Sequence, residues 1–143
     1  MDNDWKNELG SFLKEKRKDK KEERQLELEA FIRDVVMPAF QELKAELEKH
    51  GRLVVSRDTP ISASIKVTHQ AEEEITYSIQ ARSFSDRTVP YPSVRFRERR
   101  GVRYVATEGT FGSAAQSISV ADVAKADVIR NFLSYYMRHS REG

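Results

Sequence analysis

The chain has no cysteine, which removes disulfides, thiolate metal sites and cysteine nucleophiles from consideration. No apolar run approaches the roughly 20 residues that a membrane-crossing helix needs. The start, MDNDWKNELG, is not a basic stretch followed by an apolar one, so no secretory signal is visible. These absences point to a cytoplasmic, soluble protein with no membrane partner. Charge of one sign is scarce too. A net +2 over 143 residues is too little to imply nucleic acid, so any electrostatic argument must rest on how charge is distributed.

Catalytic patterns are equally sparse. His50, His69 and His139 are isolated. His69 lies near Glu72, Glu73 and Glu74, but that spacing matches no established metal-ligand pattern. GTFG at 109–112 lacks the lysine and the context of a phosphate-cradling loop. No serine sits in a nucleophile elbow, and no two carboxylates are paired in an apolar setting. The expectation is a protein without catalytic residues, metal or cofactor.

Hydrophobic residues make up 38% of the chain and charged ones 34%, a balance that suggests one globular core with a polar extension. Trp5, Leu9, Phe12 and Leu13 recur at helical spacing and form a short amphipathic segment. KEKRKDKKEERQ (14–25) follows, with seven basic residues, four acidic and none apolar. A helix there has nothing to bury, so it reads as a solvated connector or arm. Residues 1–25 are therefore expected to be a charged N-terminal arm, and 26–140 a single α+β domain.

From Leu26 the pattern becomes a broad helical stripe: Leu28, Phe31, Ile32, Val35, Val36, Ala39, Phe40, Leu43 and Leu47. Gly51 ends it, behind Lys49 and His50. Pro38 removes one backbone donor and crowds the carbonyl of Asp34, which predicts a kinked helix. The period then drops to two. ISASIKVTH (61–69) and EITYSIQARSF (74–84) alternate apolar with polar residues, as antiparallel strands with one buried face do. RLVVSR (52–57) precedes them, and Pro90 and Pro92 are expected to fray the start of the fourth strand. A closing helix is read from Ser119, with Asp122 completing a capping box and Val123, Ala126, Ile129, Leu133 and Tyr136 as its stripe, with Phe132 beside it. The expected fold is a long kinked N-terminal helix, an antiparallel meander of about five strands and a C-terminal helix, with both helices on one face of the sheet.

The densest charge is RFRERRGVRY (95–104), with five arginines in ten positions. A two-residue loop at Arg100-Gly101 pairs Arg97 with Tyr104 and Arg95 with Ala106, giving arginines apolar partners. A three-residue loop, Arg99-Arg100-Gly101, pairs Phe96 with Tyr104 and Val94 with Ala106 and puts glycine where a left-handed residue is wanted. The three-residue loop is therefore expected. It sets Arg95, Arg97 and Arg103 on the open face with Lys66 and Arg82, above Ser62, Ser64, Thr76, Ser78 and Ser93, and leaves Arg99 and Arg100 at the tip. No acid within the strands shares that face. Arg82, Arg95, Arg97, Arg99, Arg100 and Arg103 are thus the candidate anion- or partner-binding residues, and Trp5, Leu9 and Phe12 a candidate contact on the arm.

Two function classes follow. One is a non-catalytic protein-interaction module, homodimeric or bound to an acidic protein. The other is a nucleic-acid binder that uses the same arginine-rich hairpin. A small-ligand pocket between the kinked helix and the sheet is a third expectation.

Overall fold

The computed structural model describes residues 4–84, 88–97, 104–109, 111 and 119–142, with side chains for all of these except 17–21, 97, 104–108 and 139–142. The first helix, α1, runs Asp4–Phe31, passes into a π turn at Ile32–Val36 and continues as α2, Met37–Lys49. The π turn has a local cause. Pro38 has no N–H to give the carbonyl of Asp34, and its ring crowds that oxygen. The backbone widens instead, and Met37 donates its N–H to the carbonyl of Ile32, five residues back. Phe31, Val36 and Met37 all keep right-handed helical angles.

Helix α2 stops at a glycine. Gly51 adopts φ +81°, donates to the Glu48 carbonyl at 3.1 Å, and is followed by Arg52, which donates to Leu47 at 3.1 Å. Those paired bonds close a Schellman motif, which needs the left-handed residue that glycine supplies without strain.

Strands β1 (Leu53–Thr59), β2 (Ser62–His69), β3 (Glu72–Ser83), β4 (Thr88–Arg97) and β5 (Tyr104–Glu108) follow. They form an antiparallel sheet in the order β1-β2-β3-β4-β5. Val54, Ala63, Ile65, Val67, Ile75, Tyr77, Ile79 and Val94 share one buried face, as the period of two requires. They merge with Ile32, Val36, Phe40 and Leu43 from the helices into one core. Ile61, expected on that face, is an exposed turn residue. Pro90 and Pro92 do not fray β4 but lie inside it, opposite Ala81 and Ile79. The Pro92 carbonyl accepts from Gly109 at 2.9 Å, on the β5 side. The missing proline N–H groups therefore fall away from the β3 ladder.

The last helix begins later than the capping box suggests. Val120–Asp122 is a 3-10 turn, and α3 spans Lys125–Glu142. Ser119 makes no side-chain cap bond to the backbone; its hydroxyl goes to the Asp122 carboxylate at 3.1 Å. The reach-back is made by Asp127, which accepts from the Ala124 N–H at 2.9 Å. The change moves the buried stripe. Val128 and Phe132 are fully enclosed, whereas Ala126 is exposed.

Tyr77 sits where sheet and helices meet. Its ring makes edge contacts with Phe40 of α2 at 6.0 Å and Phe132 of α3 at 5.5 Å. Its hydroxyl donates to Oδ1 of Asn131 at 2.6 Å. The burial of one such aromatic is worth about 1.5–3 kcal/mol, and the hydroxyl would cancel part of that without a partner.

Candidate functional site

The open face of the sheet is built in cross-strand rows. One row carries Val55, Lys66, Thr76, Arg95 and Ala106, and the next Arg57, Ser64, Ser78, Ser93 and Glu108. The serine floor beside Lys66 and Arg95 is therefore assembled by the register. Toward the free end of the β1–β2 hairpin, Arg57, Asp58, Thr59, Ser62, Ser64, Ser78 and Gln80 line a shallow depression of about 230 Å³. It lies on the open face, whereas the expected pocket between helix and sheet is filled by Val36, Ala39, Phe40, Ile65 and Tyr77.

The face is not short of counter-charge in the way the alternation implies. Glu73 takes a bidentate hold on Arg95, with Nη2 to Oε1 at 2.8 Å and Nε to Oε2 at 3.1 Å. A β-bulge is the reason. Val67 stands opposite Ile75 but Thr68 stands opposite Glu73, so Glu74 is the extra residue. The bulge inverts the alternation and sends two neighbouring acids in different directions. Glu73 meets Arg95, while Glu74 accepts from Arg52 at 3.3 Å and from Tyr136 at 2.8 Å. Burial, then the bond to Glu74, raises the Tyr136 hydroxyl pKa, and the same carboxylate raises that of Arg52. The run of acids beside His69 is thereby taken apart. Among the described residues no three metal-ligating side chains gather.

The hairpin register also differs from expectation. Arg97 pairs with Tyr104, Phe96 with Val105, Arg95 with Ala106 and Val94 with Thr107. This is the register of the two-residue loop, one step from the expected pairing of Phe96 with Tyr104. The expected register would have set Arg97 level with Arg103, two like charges across a ladder. In the observed one, Tyr104 stands there instead.

Of the candidate arginines, Arg82 lies on β3 with its guanidinium 4.5 Å from the centre of the Tyr91 ring. Arg95 is held by Glu73. Arg97 closes β4, with its side chain outside the described set. Arg99, Arg100 and Arg103 lie outside the described residues. The structure thus brings Lys66 on β2 and Arg95 on β4 into one row, on either side of Thr76 on β3, and places Arg82 further along β3, beside Tyr91.

The arm is helix. Trp5, Leu9, Phe12 and Leu13 lie on α1, and all four are exposed, Trp5 by 58% and Phe12 by 60%. Among the described side chains of α1, Leu28 and Phe31 are the buried ones. The helix runs unbroken across the expected boundary between residues 25 and 26.

No described helix is long and apolar enough to cross a membrane. No family model matches this sequence, and no solved structure matches it. A curated relative is the glycine betaine transporter of Acinetobacter baylyi, 26% identical over 117 residues. The match takes in 80% of this chain but only 17% of the transporter, so the chain spans under a fifth of the length of the relative it resembles.

Proposed function

We propose that this chain is a non-catalytic protein-interaction module, with residues 26–140 as the domain and residues 1–25 as the arm that meets the partner. One observation carries the reading: α1 holds Trp5, Leu9 and Phe12 out in solvent while its other end is anchored in the core. Large side chains exposed together on one element are the usual mark of a contact surface. Likeness to a stretch of the glycine betaine transporter supports a role in association with a membrane carrier. The open sheet face is the second contact surface, open to a second copy of the chain.

A photoreactive residue at position 12 tests this in the host cell, with position 130 on α3 as a control. Crosslinks from position 12 that concentrate on one protein and vanish on Leu9→Asp support the reading. Crosslinks no more selective than those from position 130 overturn it. The nucleic-acid reading rests on the arginine hairpin, and Glu73 weakens it by occupying Arg95. Binding to single-stranded DNA or RNA that falls steeply with salt would restore it.

A further inference from the structure

Strand β1 is an outer strand of the sheet, with β2 on one side only. Among the described residues, no backbone hydrogen bond reaches Leu53–Thr59 apart from the ladder to β2. Alternate N–H and C=O groups along its outer rim are therefore unpaired. Sheet edges are commonly protected by lysine, proline, a bulge or a covering helix. This strand holds no lysine or proline and pairs with β2 in one unbroken register. The helices leave it open as well. Phe40 of α2 reaches inward to Tyr77 on β3, and of the seven residues of β1 only Val54 is buried.

The rim also carries apolar side chains. Leu53 is 64% exposed and Val55 39%, and pairing with Thr68 and Lys66 sets both on the open face. The backbone would accept any extended strand, so the side chains choose the occupant. A second copy related by a two-fold axis through the sheet lays β1 antiparallel to β1. Opposite residues share a face only when that axis passes through one residue.

The possible axes are not equivalent. An axis at Arg57 sets Arg57 against itself, two like charges across a ladder. An axis at Ser56 brings Asp58 level with buried Val54 and makes the two Arg57 side chains diagonal neighbours. Axes nearer either end shorten the ladder. An axis at Val55 avoids all three faults. Val55 meets Val55, and Leu53 meets Arg57, whose aliphatic stem covers it. The two Arg57 groups stand four positions apart, and Asp58 comes level with Arg52, of opposite charge. Symmetry gives a second reason. Pairing β1 with β1 consumes both free rims and closes, whereas β1 on β5 of another copy leaves a fresh edge at every step.

We propose that β1 pairs antiparallel with β1 of a second copy about Val55, joining the two sheets into one. Leu53 and Val55 of both copies then form one apolar cluster across the junction, with an Arg57 stem at each end. The contact is made by the rim of the sheet and not by the arm, so the inference goes beyond the interaction-module reading and does not rest on it.

Single cysteines read the pairing directly, since the chain has none of its own. Opposite residues of an antiparallel pair stand about 4.5–5.5 Å apart between Cα atoms, within disulfide reach. Val55→Cys is expected to oxidise to a covalent dimer at least tenfold faster than Ser56→Cys, Arg57→Cys or Leu9→Cys. A one-strand junction is small, so the dimer is weak. Light scattering on the full chain at high micromolar concentration should show twice the mass of one chain. Val55→Lys sets two like charges at the axis and should halve that mass without changing the circular dichroism. A monomer at every concentration overturns the proposal, as does a dimer that Leu9→Asp dissociates and Val55→Lys does not. Faster oxidation at position 56 or 57 overturns it too, because the apolar cluster needs the Val55 axis. Mass that keeps growing with concentration overturns the closed pairing. Photo-crosslinking from position 12 judges the module reading separately.

Discussion

Glu73 grips Arg95 through two hydrogen bonds, from a strand position that simple alternation assigns to the opposite face. The pair is lopsided: the glutamate side chain is 13% exposed and the arginine 52%. Solvent at the arginine screens the attraction, so a double-mutant cycle with Glu73→Gln and Arg95→Gln should give a coupling below about 1 kcal/mol. Urea unfolding of the four proteins measures it. A coupling of several kcal/mol would mean that the pair is a structural clamp.

The absence of cysteine makes the β4–β5 register easy to test. Arg95 stands opposite Ala106, so Arg95→Cys with Ala106→Cys should oxidise readily to a disulfide. Arg95→Cys with Val105→Cys should not, because a one-residue step puts the two side chains on opposite faces. The reverse result would restore the three-residue loop.

The β2–β3 turn holds Gln70 at φ +53° and Ala71 at φ +66°. A tight turn with two left-handed residues matches strand twist but strains a residue bearing a Cβ. Ala71→Gly should therefore stabilise the protein by about 1 kcal/mol, read as a shift in the urea midpoint without a change in slope.

Tyr77 couples sheet to helix. Tyr77→Phe leaves Oδ1 of Asn131 without its donor and should lose about 1 kcal/mol. Burial, reinforced by Tyr135, pushes the Tyr77 hydroxyl well above its ordinary value of 10.0. The folded state thus holds this proton more tightly than the unfolded chain does. Its contribution is complete below pH 10 and is lost as pH rises above that, where only the unfolded chain releases the proton. Alkaline titration at the phenolate absorbance should show one tyrosine that ionises only on unfolding, and Tyr77→Phe should remove that step.

Much of the fold is legible residue by residue. The stripe from Leu28 to Leu43 packs as its spacing implies, because a period of 3.6 puts those side chains on one side of a helix whatever they meet. Ala63, Ile65, Val67, Ile75, Tyr77 and Ile79 are buried for the matching reason at period two. The glycine stop at Gly51 is local chemistry and needs no tertiary information. Where the structure departs from the pattern, a short-range alternative wins. The first turn of α3 is shifted because Asp127 competes with Asp122 for the reach-back. The Arg95 partner was missed because a single extra residue, Glu74, reverses the alternation; the one signal in the sequence was three acids running into the strand.

The amino-acid order by itself determined the helix and strand periods, the buried faces and the helical spacing of Trp5, Leu9 and Phe12. Periodicity and turn chemistry act within a few residues, so they are written into the chain. Only the tertiary structure decided that α1 turns Trp5, Leu9 and Phe12 to solvent, which arginine meets an acid, and how β4 and β5 align. Those outcomes are set by energies between residues far apart in sequence: Arg95 against Glu73, Pro92 against Gly109, Tyr77 against Asn131.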